Sequence, residues 1–289
     1  MDITSQVIDA INGWLQSLAE HLLPPALTAA GQLLFQTPSF DSIPEISRIW
    51  AVVRNLTDGL FVIALLAAGV MVMASGTFES RYSAKTLIPR IVLAAVAANA
   101  SLALCGALIK LDNALVNGLV GPDPGTTTFN QLAAMVQGSH TSDQVVGSMV
   151  GLAAAALAIL LVGLYIGRDI VLVVATVLSP LALATYALPQ TEEIARIWWR
   201  VFGALLFVQV IEAILVELGV EVLRHTDWLG GPTSDLVSGL VLITLLFLLF
   251  KLPFAAYQWA FRHPLSQSPV VQTAVTTAKV VAAAAAAVA

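Results

Sequence analysis

Charge is what this sequence has least of. Only 11% of its 289 residues are Asp, Glu, Lys or Arg, against about a quarter in an ordinary globular domain. The 13 Lys and Arg are scattered, so no cationic patch is available to grip a phosphate backbone. Direct nucleic-acid binding by this chain alone is therefore not expected. Cysteine is nearly absent: the single thiol, Cys105, lies in an apolar run. That excludes an internal disulfide and a thiolate metal cluster, and predicts a small buried hydrophobe. His21, His140, His225 and His263 are dispersed without ligand spacing. There is no Walker-type Gly-rich loop with its lysine, and Ser179 before Pro180 has no nucleophile-elbow context. The chain reads as a non-enzyme with no cofactor and no metal. No cleavable signal peptide is expected either, since the first residues are acidic and no apolar core precedes a small-residue cleavage site.

What is abundant is apolar chain. Hydrophobic residues make up 58% and the mean hydropathy is +0.88. Several near-uncharged runs are long enough to cross a bilayer, and only helices satisfy their own backbone there. The fold class is all-α: a polytopic helical membrane protein with five transmembrane helices, or six, and a broken or re-entrant segment around Pro180.

Residues 1–48 read as an outward-facing amphipathic helix and loop. Ile3, Val7, Ile8, Ile11, Trp14, Leu15, Leu18 and Leu22 form one helical face. It either packs on the protein itself or lies in the membrane interface with Trp14 at headgroup depth. Pro24-Pro25 is expected to stop it. Residues 49–265 form the transmembrane bundle. Its apolar segments are 52–74, 91–109, 146–167, 170–188, 201–222 and 236–252, with an outward loop at 110–145 that holds a short helix near 131–137. Residues 266–289 are an alanine-rich tail.

Basic residues in short loops set the orientation. Arg81, Lys85 and Arg90 place their loop in the cytoplasm, as do Arg196 and Arg200 for theirs and Lys251 with Arg262 for the last. The loop carrying Asp112, Asp123 and Asp143 then faces outward. An outside N-terminus and a cytoplasmic C-terminus require an odd number of crossings. The segment 170–188, preceded by a charge pair and cut by Pro180, is the one expected not to cross.

Glu212 sits mid-span with Gln209 a turn before it. An intramembrane carboxylate marks a polar passage, an oligomer interface or a hydrogen-bonded acid inside the bundle. Glu217 and Glu221 join it as candidates for passage or interface, although snorkelling and a local pair with Arg224 explain them adequately. Arg168-Asp169 either marks the inner boundary of its span or is a buried pair. Arg54 and Asp58, four apart, are placed to pair.

The block RDIVLVVATVLSPLALATYALPQTEEIARIWWRVFGALLFVQV runs from an apolar helix into Ser179-Pro180, then Leu188-Pro189, then a polar link to Trp198-Trp199 and a further span. It resembles the TrbL-like polytopic inner-membrane proteins of type IV secretion and conjugation machines. The resemblance implies an integral channel or scaffold component in the cell inner membrane, supporting transfer of DNA-protein or protein substrates. It implies further membrane subunits, separate ATPases and other copies of the chain as partners. Pro180, Pro189, Trp198 and Trp199 would shape the cytoplasmic turn of its core. The alternatives are a secondary transporter with Glu212 as coupling carboxylate, and a purely structural membrane anchor.

Overall fold

The computed structural model describes residues 3–74, 84–121, 129, 144–224 and 235–261. The expected basic loop around Arg81, the short helix near 131–137, Asp123, Asp143 and the tail 266–289 lie outside them. Every regular element among the described residues is helical. They are α1 (Ile3–Phe35), α2 (Pro44–Ala74), α3 (Ala84–Asn99), α4 (Ser101–Val120), α5 (Gln144–Val177), α6 (Ser179–Ala184), α7 (Glu192–Arg224) and α8 (Asp235–Phe261). Short 3-10 turns occupy Phe40–Ser42 and Thr185–Ala187. Among the described residues, four helical stretches are long and apolar enough to cross a membrane: Ser101–Val120, Met149–Val177, Glu192–Arg224 and Gly239–Gln258. A shorter apolar helix covers Leu87–Asn99. The protein is thus an all-α, multi-pass membrane protein. The expected first span lies in α2, which is not one of those four.

The chain divides into two compact units. Unit 1 comprises Met1–Pro38, Ile109–Val171 and Leu205–Ala256. Its core draws Leu27 and Leu34 from α1, Val116 from α4, Leu161 from α5, Val216 from α7 and Leu246 from α8. At membrane depth such a core is held by close packing rather than by exclusion of water. Gly219 shows how close: a Cβ there would meet Leu245 Cδ1 at 2.7 Å. Pro24 and Pro25 do not stop α1, contrary to expectation. A proline inside a helix costs about 3 kcal/mol. The burial of Leu23, Leu27, Ala30, Leu34 and Phe35 along one face carries the helix through.

Unit 2 comprises Ser39–Leu108, Leu172–Ala204 and Tyr257–Ala289. In it α2, α3, α6 and the second 3-10 turn pack together, with Ile91, Ala94 and Ala187 at the centre. Trp50 Nε1 donates to Ser101 Oγ at 3.0 Å. Cys105 is free and buried, as expected.

Two boundaries differ from the sequence reading. The expected segment 91–109 is divided at Ala100, and α4 then runs on to Val120. Gly121, with φ +89°, ends it, as a glycine just past a helix C-terminus does. Lys110 and Asp112 therefore lie in a helix, not in the outward loop. Segment 170–188 is not a separate piece either. α5 passes unbroken through Arg168-Asp169, and the interruption comes at Leu178. Pro180 occupies the first turn of α6, where its missing N–H breaks no ladder. Ser179 Oγ donates to the Thr176 carbonyl at 2.6 Å, the acceptor that a residue 180 N–H would otherwise have used. Pro180 opens a helix rather than kinking one.

Candidate functional site

Three helices of unit 1 each carry an ionisable residue where an aliphatic one would be expected. The buried stripe of α4 runs Cys105, Ile109, Asp112, Val116; that of α5 runs Leu161, Tyr165, Arg168, Leu172; that of α7 includes Leu205, Gln209, Glu212, Val216. The spacing of three and four residues is that of one helical face. Arg168, at 2% exposure, is among the largest fully buried side chains of the described residues.

Arg168 holds the group together. Its Nη2 donates to Gln209 Oε1 at 2.6 Å and its Nε to the Leu205 carbonyl at 3.1 Å. Its Nη2 lies 3.9 Å from Asp112 Oδ2, and its Nη1 lies 3.6 Å from Asp169 Oδ1. These last two are ion pairs too long to be hydrogen bonds.

Gln209 extends the network. Its Oε1 also accepts from Thr37 Oγ1 at 2.6 Å, and its Nε2 donates to Asn113 Oδ1 at 3.2 Å. Asn113 Nδ2 donates to the Thr37 carbonyl at 2.8 Å, and Thr37 N–H returns a bond to Asn113 Oδ1 at 3.0 Å. The residues just past α1 are thereby tied to α4, α5 and α7. Glu212 is fully buried, and neither carboxylate oxygen has a hydrogen-bond partner among the described residues. Tyr165 is likewise fully buried, and its hydroxyl has no hydrogen-bond partner among the described residues.

The other residues singled out in the sequence fall elsewhere. Glu217 and Glu221 are exposed on α7, and Glu221 pairs with Arg224 at 3.8 Å. They do not join Glu212. Among the described residues no ion pair links Arg54 to Asp58. Arg54 lies over the Trp50 ring at 5.2 Å and donates to Asn55, while Asp58 accepts from Asn99 Nδ2. Arg168 is buried within α5, which runs on past it, and lies 3.6 Å from Asp169.

In unit 2, Trp198 stacks on Phe202 with centroids 5.1 Å apart, meets Trp199 edge-on, and donates through Nε1 to the Ala175 carbonyl. Beside it, Glu192 accepts from both Arg90 and Arg196. Pro189 follows the second 3-10 turn, where Thr191 Oγ1 donates to the Leu188 carbonyl at 3.2 Å.

The sequence reading missed Asp112, Asn113, Thr37 and Tyr165. Asp112 was legible from the stripe that continues through Val116. Thr37 was not, since nothing local marks a residue whose partners are far along the chain. Among the described residues no group of three or more His, Cys, Asp or Glu is placed to hold a metal ion.

A buried arginine-centred cluster in a multi-pass helical protein does not by itself say which machine uses it. The family described as TrbL/VirB6 plasmid conjugal transfer like protein matches residues 1–289, the whole chain. The chain belongs to this family. No curated protein and no solved structure matches it. Membership of the TrbL/VirB6-like family makes it a membrane component of conjugative, type IV secretion machinery, associated with the bilayer and with other secretion-system parts.

Proposed function

We propose that this TrbL/VirB6-like chain serves as a scaffold within the inner-membrane part of a conjugation complex, supporting passage of DNA-protein or protein substrates driven by separate ATPases. The observation that carries the reading is the sealed cluster. Arg168 and Gln209 are buried and bonded to one another, and the hydrogen bonds of Gln209 cross between helices. Polar groups spent on one another in this way hold helices in place and are unsuited to line an open passage. An orientation with the N-terminus outside and the C-terminus in the cytoplasm accompanies this reading. It is supported by the Glu192 bridge, which gathers Arg90 and Arg196, both assigned to the cytoplasmic side, around one carboxylate. Five crossings, with α2 as the additional one, satisfy that orientation. Further copies of the chain are proposed as partners.

The test is Gln209→Leu in a strain that depends on this chain for transfer. The scaffold reading expects DNA transfer and assembly of the membrane complex to fall together. Lost transfer with a fully assembled complex would favour a conduit lined by these groups.

A further inference from the structure

Unit 1 is left with more buried acid than base. Among the described residues, Asp112 and Asp169 form ion pairs with the Arg168 guanidinium, while Glu212 is buried in the same unit without one. Among the described residues, the side chains that α1 and α8 bury on this core are apolar. Lys110 on α4 and Lys251 on α8 are exposed. Among the described residues Arg168 is the buried cation, and its hydrogen bonds go to Gln209 and the Leu205 carbonyl.

The unpartnered atoms are the second, independent observation. Both oxygens of Glu212 and the hydroxyl of Tyr165 are sealed from solvent without a hydrogen-bond partner among the described residues. Tyr165 lies a turn before Arg168 on α5 and Glu212 a turn past Gln209 on α7, and Leu161 and Val216 beyond them share one core. The contact of Arg168 with Gln209 thus continues along two facing stripes to these three polar atoms, which mark a place able to hold something small. Lone acids at membrane depth stay only where a proton, a cation or a partner meets them. A divalent metal is not favoured, because no cluster of three suitable ligands is present among the described residues.

We propose that Glu212, with Tyr165 on the facing stripe of α5, is a binding site for one small monovalent cation, a proton or a sodium ion, taken into the interior of unit 1. Glu212 supplies the negative charge. Tyr165 supplies a neutral oxygen that can accept from a protonated carboxyl or face a sodium ion. Arg168 keeps the two aspartates occupied, so the added charge goes to Glu212. The inference rests on the geometry of the cluster and not on the scaffold role proposed above, so the two fail separately.

The test uses the full-length protein purified in mild detergent. Its thermal unfolding midpoint is followed in a sodium titration against choline at constant ionic strength, and in a pH series without sodium. The expected result is a shift of several degrees along one of these axes. Sodium dependence identifies the metal cation, and pH dependence alone identifies the proton. Glu212→Gln, which keeps the shape without the charge, should fold and abolish the dependence. A wild-type midpoint flat along both axes overturns the proposal, and so does a Glu212→Gln protein that retains the full dependence. Should Glu212→Gln fail to fold, Tyr165→Phe carries the test. A severalfold loss of apparent cation affinity is expected, and unchanged affinity overturns the site.

Discussion

Arg168 on α5 and Gln209 on α7 meet inside unit 1, the guanidinium Nη2 donating to the amide Oε1 at 2.6 Å. The same oxygen accepts from Thr37, and the amide nitrogen reaches Asn113. One side chain thus gathers an arginine and two polar residues from distant parts of the sequence. Buried polar groups specify an arrangement most strongly when their partners are supplied together, because each lost partner leaves an unsatisfied group behind.

Removal of the cation should be the most damaging single change in the cluster. Arg168→Leu leaves Asp112 and Asp169 without their ion-pair partner and Gln209 Oε1 without its charged donor. Breaking a buried pair in this way costs about 3–5 kcal/mol. The expected outcome is a large drop in the unfolding midpoint in detergent and loss of DNA transfer. A variant that unfolds within a degree of the wild type would show the pairs to be inconsequential.

The exposed acids of α7 should behave differently from Glu212. Glu217→Gln and Glu221→Gln alter exposed side chains, and the Glu221–Arg224 pair is a surface pair of the kind contributing about 0–1 kcal/mol. Both variants should keep near-wild-type stability. Equal damage from Glu217→Gln and Glu212→Leu would remove the distinction.

Pro180 should be replaceable. It stands in the first turn of α6 with no ladder bond to break, so Pro180→Ala should change stability by less than about 1 kcal/mol. Ser179→Ala should cost more, because Ser179 is buried and its hydroxyl serves the Thr176 carbonyl. Thermal unfolding of the two variants side by side checks the order. A proline variant worse than the serine variant would contradict the placement of Pro180 at a position with no ladder bond to break.

Close approach of α7 and α8 predicts a steric effect. Gly219→Val puts a branched side chain where a Cβ alone already meets Leu245 Cδ1 at 2.7 Å. Overpacking costs about 1–3 kcal/mol. Pairing it with Leu245→Ala should recover part of the loss, and stability measurements on the single and double variants read this directly.

The all-helical membrane architecture was legible because apolar runs in a charge-poor chain leave little else. The interior position of Gln209 and Glu212 followed from their place in an apolar span. What the sequence reading lost, it lost to local rules overridden by packing. Pro24-Pro25 ought to end a helix, but the buried face from Leu23 to Phe35 carries it on. Arg168-Asp169 has the look of a membrane boundary, since a charge pair is costly at depth. The partners that make it tolerable, Asp112 and Gln209, come from other helices and leave no local mark. Arg54 and Asp58 show the converse: correct spacing for a pair, with an indole ring and an asparagine offering competing contacts.

The central claim, that Arg168 and Gln209 act as one unit inside the bundle, is tested most directly by a double-mutant cycle. Arg168→Leu, Gln209→Leu and the double variant are compared with the wild type by unfolding of the full-length protein in detergent. Hydrogen bonds to charged groups contribute about 1.5–3 kcal/mol, and a coupling energy of that order is expected. Simple additivity, to within about 0.5 kcal/mol, would contradict it.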